Sequence, residues 1–317
     1  MNAILAASTI IFPLITFPYI SRVLLVEGNG KVAFASSVIN YFSMIASLGI
    51  PTYGIRACAK VRGDKEKLSH TVQELLIINI ITTAISLAAF LVSLAVVPEF
   101  YAEKELMLIN AVSMILSTLG VTWLYNALEQ YAYITICSMA FKVLGIVLMF
   151  LCVKGPEDYI IYGAVSVVAG SGSYVMNLIN MRKYVSLKKR GKYNFRQHIK
   201  PIMIFFTMSA AINVYTNLDI VMLQFMKGDA AVGYYNTAIK IKTILTTLLT
   251  SLGTVLLPRL SYYTQMGKED AFNKTIGKAA NFVVLAGVSL TIYFSMFAEE
   301  CIVFLASEEF LRSTVSM

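Results

Sequence analysis

Nine long apolar stretches follow one another along the chain, separated by short polar connectors. A helix rises 1.5 Å per residue, so about 20 apolar residues cross the roughly 30 Å hydrocarbon core of a bilayer. Backbone amides in that core must be hydrogen-bonded within their own segment, so each stretch is predicted to be a helix. The pattern predicts an all-α, polytopic transmembrane protein and excludes a soluble one. The stretches are residues 3–24, 32–54, 74–97, 106–126, 132–153, 159–181, 201–226, 231–257 and 276–297.

Composition agrees with a membrane protein. The mean hydropathy is +0.70, and 14% of the residues are charged, against about 25% in soluble domains. The net charge of +8 does not indicate nucleic acid, because the basic residues cluster in three connectors and no soluble domain is visible to carry a basic surface. The four cysteines occur singly and are interpreted as small core residues. They are Cys58, Cys137, Cys152 and Cys301.

The distribution of positive charge predicts the topology. Seventeen Lys and Arg residues lie in the connectors after the second, sixth and eighth stretches, whereas the opposite connectors hold five. Positive connectors stay on the cytoplasmic side. The N-terminus and the ends of the even-numbered stretches are therefore predicted to be cytoplasmic, although the connector at 127–131 contains no Lys or Arg.

The predicted external connectors are too short to fold into a catalytic domain. No nucleotide-binding motif and no metal-ligand spacing is found either, so we expect neither an enzyme nor a bound cofactor. A membrane glycosyltransferase, polymerase or ligase would need catalytic residues on a larger external loop. The activity is expected to take place between the helices.

Two parts of the chain share a pattern that suggests an internal repeat. Ser-Leu-Gly occurs at residues 47–49 and again at 251–253, each time late in an apolar stretch and followed by Pro and Arg. Glycines open both stretches, at Gly28 and Gly30 in the first and at Gly233 in the second. A repeat shifted by six spans keeps its orientation, which predicts two halves related by an axis along the membrane normal. Chance recurrence in Leu-rich sequence is the alternative.

Seven segments spread over most of the chain carry a family resemblance. They are FPLITFPYISRVL (12–24), EGNGKVAFA (27–35), IASLGIPTYGIR (45–56), KVRGDK (60–65), WLYNALEQY (123–131), YTNLD (215–219) and GYYNTAIKIK (233–242). Together they resemble the Wzx-type polysaccharide-unit flippases. The first segment is similar to the first helix of that family, and the second to its first external turn.

The resemblance implies a MATE-like transporter with two six-helix lobes around a central cavity, located in the bacterial cytoplasmic membrane. Its partner would be an oligosaccharide linked to undecaprenyl diphosphate, flipped by alternating access. The implied domains are a first lobe at 1–182, a basic linker at 183–200 and a second lobe at 201–317. Such proteins have twelve to fourteen spans, so we expect this chain to be a fragment with an incomplete second lobe.

Ionisable residues within the stretches mark the expected cavity. A charged group costs about 2.5–3.5 kcal/mol at the membrane centre, so it is expected to face an interior or an aqueous space. Lys142, Lys240 and Asp219 fall at similar depths, roughly 10–15 Å from the external surface at 1.5 Å per residue. A cationic zone at this depth suits a diphosphate group.

Each of these residues has a structural alternative. Lys142 is either a substrate-binding residue or a structural lysine that forms an ion pair or snorkels toward an interface. Lys240 and Lys242 are separated by about 200° around a helix, so we expect at most one of them, Lys240, to line the cavity. Asp219 either neutralises Lys240 or couples transport to a proton or sodium gradient.

Other polar residues receive weaker assignments. Arg22 follows Pro18, and a kink at that proline would turn Arg22 toward the substrate, with interface anchoring as the alternative. Glu129 is expected at the cytoplasmic boundary, with a role in the entry of the substrate head group as the alternative. His70 and His198 are expected in solvated connectors. Cargo selectivity is expected to depend on cavity shape and on scattered amides. These amides are Asn40, Asn213 and Asn217.

Two further expectations concern the membrane surface and the cargo. The basic linker is predicted to lie along anionic lipid at the inner surface. The rival function within the same superfamily is a multidrug or organic-cation antiporter. Its cavity would be acidic and aromatic, whereas the interior predicted here has three lysines and one aspartate.

Overall fold

The computed structural model describes residues 2–188 and 193–316, and within them it is all-helical, without a strand. Seven helical stretches of the described residues are long and apolar enough to cross a membrane. The prediction of an all-α polytopic membrane protein is therefore confirmed. The helices are α1 (Asn2–Ser47), α2 (Ile50–Val61), α3 (Lys65–Val96), α4 (Pro98–Ala102), α5 (Lys104–Leu119), α6 (Thr122–Ala127), α7 (Tyr131–Cys152), α8 (Tyr159–Asn180), α9 (Arg196–Lys227), α10 (Asp229–Gln265), α11 (Glu269–Met296) and α12 (Ala298–Leu305), with 3₁₀ turns at Pro156–Asp158, Met181–Lys183 and Glu308–Ser316.

Helix α1 contains the first two predicted spans as two arms, α1a (residues 2–24) and α1b (residues 26–47). They meet at Leu25, whose φ of 58° and ψ of −170° are not helical. The Asn29 amide donates to the carbonyl oxygens of Leu25 (2.8 Å) and Ile20 (3.4 Å). Residues 20 and 29 would lie about 13 Å apart along a straight helix, so the chain folds back here. A single residue replaces the longer connector expected at 25–31.

The second and fourth predicted spans end earlier than the sequence pattern indicates. The backbone breaks at Leu48 and Gly49, which have φ of 45° and 74°, and again at Val121, with φ of 39°. The short helices α2 and α6 follow these breaks and pack against each other. An added methyl at Gly54 would lie 2.8 Å from the ring of Trp123, so glycine is required for this close approach.

The connectors between the helices lie in two groups. In the first group, Lys31 after the Leu25 turn forms an ion pair with Glu103 (2.7 Å), and the Tyr19 hydroxyl donates to the carbonyl oxygen of Val153 (2.7 Å). In the other group, Arg62 pairs with Glu129 at 2.6 Å. The connector at 127–131, which has no positive charge of its own, therefore lies beside the basic α2–α3 connector.

The openings of α1b and α10 approach each other reciprocally. An added methyl at Gly30 would overlap the carbonyl oxygen of Asp229, and one at Gly233 would overlap that of Val26. One sequence shift, 203 residues, relates Val26 to Asp229 and Gly30 to Gly233. The reciprocity agrees with the predicted repeat at these helix starts.

The Ser-Leu-Gly segments do not share a conformation. The helix breaks at 47–49, whereas the backbone at 251–253 continues as helix within α10. The predicted division into two lobes at residues 182 and 201 stays a prediction, and residues 189–192 of the predicted linker lie outside the described residues.

Candidate substrate cavity

A cavity of about 560 Å³ lies between α1b, α8, α9 and α10. Its walls carry hydroxyl, amide and charged groups rather than a continuous apolar surface. Helix α10 supplies the residues at 235, 239, 242 and 246 on one stripe and those at 236, 240 and 243 on the next. The contacts of Gly30 and Gly233 hold the start of α1b against the start of α10. The cavity lies next to this contact, between the parts of the two helices that follow it.

Two smaller cavities adjoin it around Tyr162. One, of about 370 Å³, contains Lys142, and the other, of about 270 Å³, contains Lys240. Both are bordered by Pro13 and Thr16 of α1a, and Tyr162 lines all three cavities. The helix arm α1a therefore separates the two lysines.

Both lysines contact aromatic rings of that arm. The Lys142 Nζ lies 5.5 Å from the ring centre of Phe12, and the Lys240 Nζ lies 5.2 Å from that of Phe17. In the described part of the chain, no carboxylate forms an ion pair with Lys240. A ring face attracts a cation by its quadrupole without neutralising its charge.

Lys242 also lines the largest cavity, which corrects the expectation that at most one of Lys240 and Lys242 would do so. The cavity-lining face of α10 extends over about 160° at 100° per residue. Lys240 lies at one edge of this face and Lys242 at the other. The expectation assumed that the cavity-lining face of the helix is a single narrow stripe of residues.

Asp219 is exposed to the largest cavity and accepts a hydrogen bond from the Tyr235 hydroxyl at 2.6 Å. The predicted alternative, an ion pair with Lys240, is not formed. Among the described residues that line the three cavities, Asp219 is the one acidic side chain, against Lys142, Lys240 and Lys242.

The three predicted amides form one cluster between α1b and α9. The Asn40 amide donates to the Asn217 side-chain oxygen (3.3 Å), Asn217 donates to that of Asn213 (3.2 Å), and Asn213 donates to the Asn40 carbonyl (3.4 Å). Asn40 and Asn217 line the largest cavity.

Arg22 lies apart from this arrangement. It lines none of the three cavities, and its Nη2 donates to the carbonyl oxygen of Phe304 in α12 at 2.9 Å. The helix continues through Pro18, and its non-helical residue is Leu25 instead.

His198 is buried, which corrects its assignment to a solvated connector. Its Nε2 lies 2.8 Å from the carboxylate of Glu74, a side chain that is 1% exposed, and its Nδ1 lies 2.8 Å from the Tyr53 hydroxyl. Sequence reasoning missed this cluster. The available signal was a carboxylate at the edge of an apolar stretch, four residues after His70.

Comparisons with known proteins identify a family and two relatives of the chain. The family described as "Polysaccharide biosynthesis protein" matches residues 2–264. Two relatives, both named "Putative O-antigen transporter", come from Shigella dysenteriae and Escherichia coli K12. The first is 29% identical over 260 residues, which cover 79% of this chain and 63% of that protein. The second is 23% identical over 306 residues, which cover 93% of this chain and 74% of that protein.

No solved structure matches the chain. The chain spans less than two thirds of the length of the Shigella relative. Its long apolar helices and the names of its relatives together indicate a multi-pass membrane protein. The family match extends over the helices that build the cavity and confirms the resemblance seen in the sequence. The chain belongs to the polysaccharide biosynthesis protein family.

Proposed function

We propose that the chain carries the substrate cavity of a transporter that flips a polysaccharide unit linked to undecaprenyl diphosphate across the cytoplasmic membrane by alternating access. The supporting observation is the charge of the cavity walls, where Lys142, Lys240 and Lys242 outnumber Asp219. Ammonium groups bind phosphate oxygens through charge-assisted hydrogen bonds, about twice as strong as neutral ones. The names of the relatives point to the same class of cargo.

The test is a binding measurement on the purified chain in lipid nanodiscs, with undecaprenyl diphosphate as the probe. We expect a double variant, Lys142→Gln with Lys240→Gln, to bind at least tenfold more weakly, because a hydrogen bond to a charged group contributes about 1.5–3 kcal/mol. Lys104→Gln is the matched control, since Lys104 lies against Tyr101 (5.3 Å) at the helix connector and not in these cavities. Equal affinity of the double variant and the wild type would contradict the proposal.

The rival function is tested in the same preparation with tetraphenylphosphonium. Binding of this organic cation, together with no binding of the diphosphate lipid, would support a multidrug or organic-cation antiporter. If the cation still binds after Asp219→Asn, then Asp219, the one carboxylate among the described residues that line the cavities, is not its binding group.

We further infer that Asp219 couples transport to a proton or sodium gradient. Its carboxylate faces the cavity, and its hydrogen-bond partner is the neutral Tyr235 hydroxyl. The expected result in vesicles with an imposed gradient is that Asp219→Asn abolishes the gradient dependence of transport. Unchanged dependence would remove Asp219 from the coupling step.

Our proposed topology has the N-terminus in the cytoplasm, the basic linker along the inner membrane surface, and two lobes that move relative to each other. The Gly30–Gly233 contact then lies at the external end, so the cavity faces the cytoplasm. We expect Thr246→Cys, in a background without native cysteines, to react with an impermeant maleimide in inside-out vesicles and not in right-side-out vesicles. The reverse pattern would invert the topology.

A further inference from the structure

The cavity of about 370 Å³ between α1a, α7 and α8 differs in chemistry from the largest cavity, and we call it the apolar groove. Its walls are mostly apolar and include Phe12, Ile146, Met149 and Val165. Among the described residues that line it, Lys142 is the one charged side chain. Ligand pockets have volumes of about 300–1,000 Å³. The groove therefore has room for a ligand, and its walls favour a hydrocarbon with an anionic group at one end.

Two glycines shape the apolar groove. An added methyl at Gly145 of α7 would overlap the Cβ of Ala169, so α7 and α8 are in close contact at that level. At Gly170 of α8, which is exposed, an added methyl would meet nothing within 4 Å. The hydroxyl of Thr16 donates to the carbonyl oxygen of Phe12 at 3.0 Å, within α1a itself. The groove therefore has open space at Gly170, and one of its hydroxyls is already bonded.

The apolar groove and the largest cavity adjoin at Tyr162 and Ser166, because both residues line both spaces. On one side of this boundary lie the amides and hydroxyls of the largest cavity, and on the other lies Lys142, with its Nζ 5.5 Å from the ring centre of Phe12. An amphipathic ligand matches this division. Its polar part would contact the largest cavity, its anionic group Lys142, and its apolar part the groove.

The depth of Lys142 distinguishes between two sources of such a ligand. Helix α7 extends over Tyr131–Cys152, so Lys142 lies about 15 Å from either end at 1.5 Å per residue. The hydrocarbon core is about 30 Å thick, and the phosphate of a resident phospholipid therefore stays about 15 Å away, at the membrane surface. The phosphate of a lipid that is being flipped passes through this depth, and its chain then begins beside Lys142.

We propose that the apolar groove binds the isoprenoid chain of the lipid-linked cargo at the isoprene units next to the diphosphate, while the largest cavity holds the sugars. This inference rests on the proposed function. Without the groove, those units would lie against the polar walls and the water of the largest cavity when the diphosphate is at Lys142. Removal of apolar surface from water is favourable in proportion to its area, so the groove lowers the free energy of the cargo at mid-membrane.

The test is a binding measurement on the purified chain in lipid nanodiscs, with inorganic diphosphate and farnesyl diphosphate as probes. Gly170→Leu fills the open space of the groove and should weaken binding of farnesyl diphosphate at least tenfold, about the effect of returning two methylene groups to water. Inorganic diphosphate should keep its wild-type affinity, since Lys142 is retained. Gly277→Leu in α11, another glycine where an added methyl meets nothing within 4 Å, is the matched control and should bind both probes like the wild type.

A second measurement uses the wild-type chain and does not depend on the folding of a variant. A farnesyl diphosphate analogue with a diazirine on its terminal isoprene unit should, on illumination, label α1a, α7 or α8 at the groove. Mass spectrometry of the digested protein locates the label. An excess of unlabelled farnesyl diphosphate should prevent the labelling.

Three results would overturn this inference and leave the proposed function intact. The first is equal affinity of Gly170→Leu and the wild type for farnesyl diphosphate. The second is loss of both probes by the same factor in Gly170→Leu, which would assign the effect to the head group. The third is a label confined to helices other than α1, α7 and α8. Failure of the wild type to bind either probe would contradict the proposed function and this inference together.

Discussion

Lys240 illustrates how one residue is maintained within a membrane at an energetic cost. A lysine at this depth costs about 2.5–3.5 kcal/mol on insertion, and a partly desolvated cation–π contact such as that with Phe17 returns about 0.5–2 kcal/mol. No carboxylate in the described part of the chain pairs with Lys240 to offset the rest of this cost. An anionic ligand bound in the cavity would offset it.

Lys240→Met is therefore expected to stabilise the unliganded protein. Removal of the charge eliminates its desolvation cost, and methionine fills a similar space, so the free energy of unfolding should rise by about 1 kcal/mol. The measurement is the unfolding midpoint in an SDS titration of the purified chain.

Lys31→Met is the matched control. Lys31 pairs with Glu103, whose side chain is 12% exposed, at 2.7 Å. Its removal leaves a nearly buried carboxylate unpaired, so the unfolding midpoint should fall. A fall for Lys240→Met as well would show that this lysine stabilises the fold.

At the scale of elements, the breaks at Gly49 and Val121 create two short helices, α2 and α6, that pack as a pair. Their contact centres on Gly54 and Trp123, and Trp123 is 4% exposed. Isolated helices of 12 and 6 residues are not stable in water, because helix nucleation is costly. These two helices depend on tertiary packing, in contrast to the long spans that the bilayer enforces.

Gly54→Leu should displace the ring of Trp123 and loosen this pair. Overpacking of a tight contact costs about 1–3 kcal/mol. Trp123 is the one tryptophan of the chain, so its fluorescence reports this site, and we expect its emission maximum to shift to longer wavelength. Gly63→Ala, where an added methyl meets nothing within 4 Å, should leave the emission unchanged.

At the scale of the whole molecule, the starts of α1b and α10 are in close contact, next to the cavity that both helices line. Small residues allow helix backbones to approach closely in membranes, and Gly30 and Gly233 provide this on opposing helices. A larger side chain at either of these two positions is therefore expected to push the two helices apart.

Gly30→Ala is expected to push α1b away from α10 and lower the thermal stability, since its methyl would overlap the Asp229 carbonyl oxygen. The expected loss is about 1–3 kcal/mol, the usual cost of overpacking. Gly277→Ala in α11 meets nothing within 4 Å and should raise stability by about 0.5–1 kcal/mol through helix propensity. Equal melting temperatures for the two variants would contradict the close contact.

Residues of the candidate site could be predicted from the sequence where their position depends only on depth in the membrane. Counting residues along each span placed Lys142 and Lys240 at cavity depth, and each lines a cavity. The residue count was wrong for Lys242. The cavity-lining face of α10 extends over about 160° at 100° per residue, and the sequence alone does not show how wide such a face is. It also missed Glu74 and His198, which meet across 124 residues of sequence.

The lengths and apolar character of the stretches decided the helical class and the membrane location, because a bilayer requires each backbone segment to satisfy its own hydrogen bonds. Those are local properties, and a linear pattern contains them. Tertiary structure alone decided that Gly30 meets the Asp229 backbone, that Asp219 bonds to Tyr235 and not to Lys240, and that His198 reaches Glu74. These contacts depend on how each helix is rotated about its axis and on which helix lies beside it, and both follow from packing among distant segments.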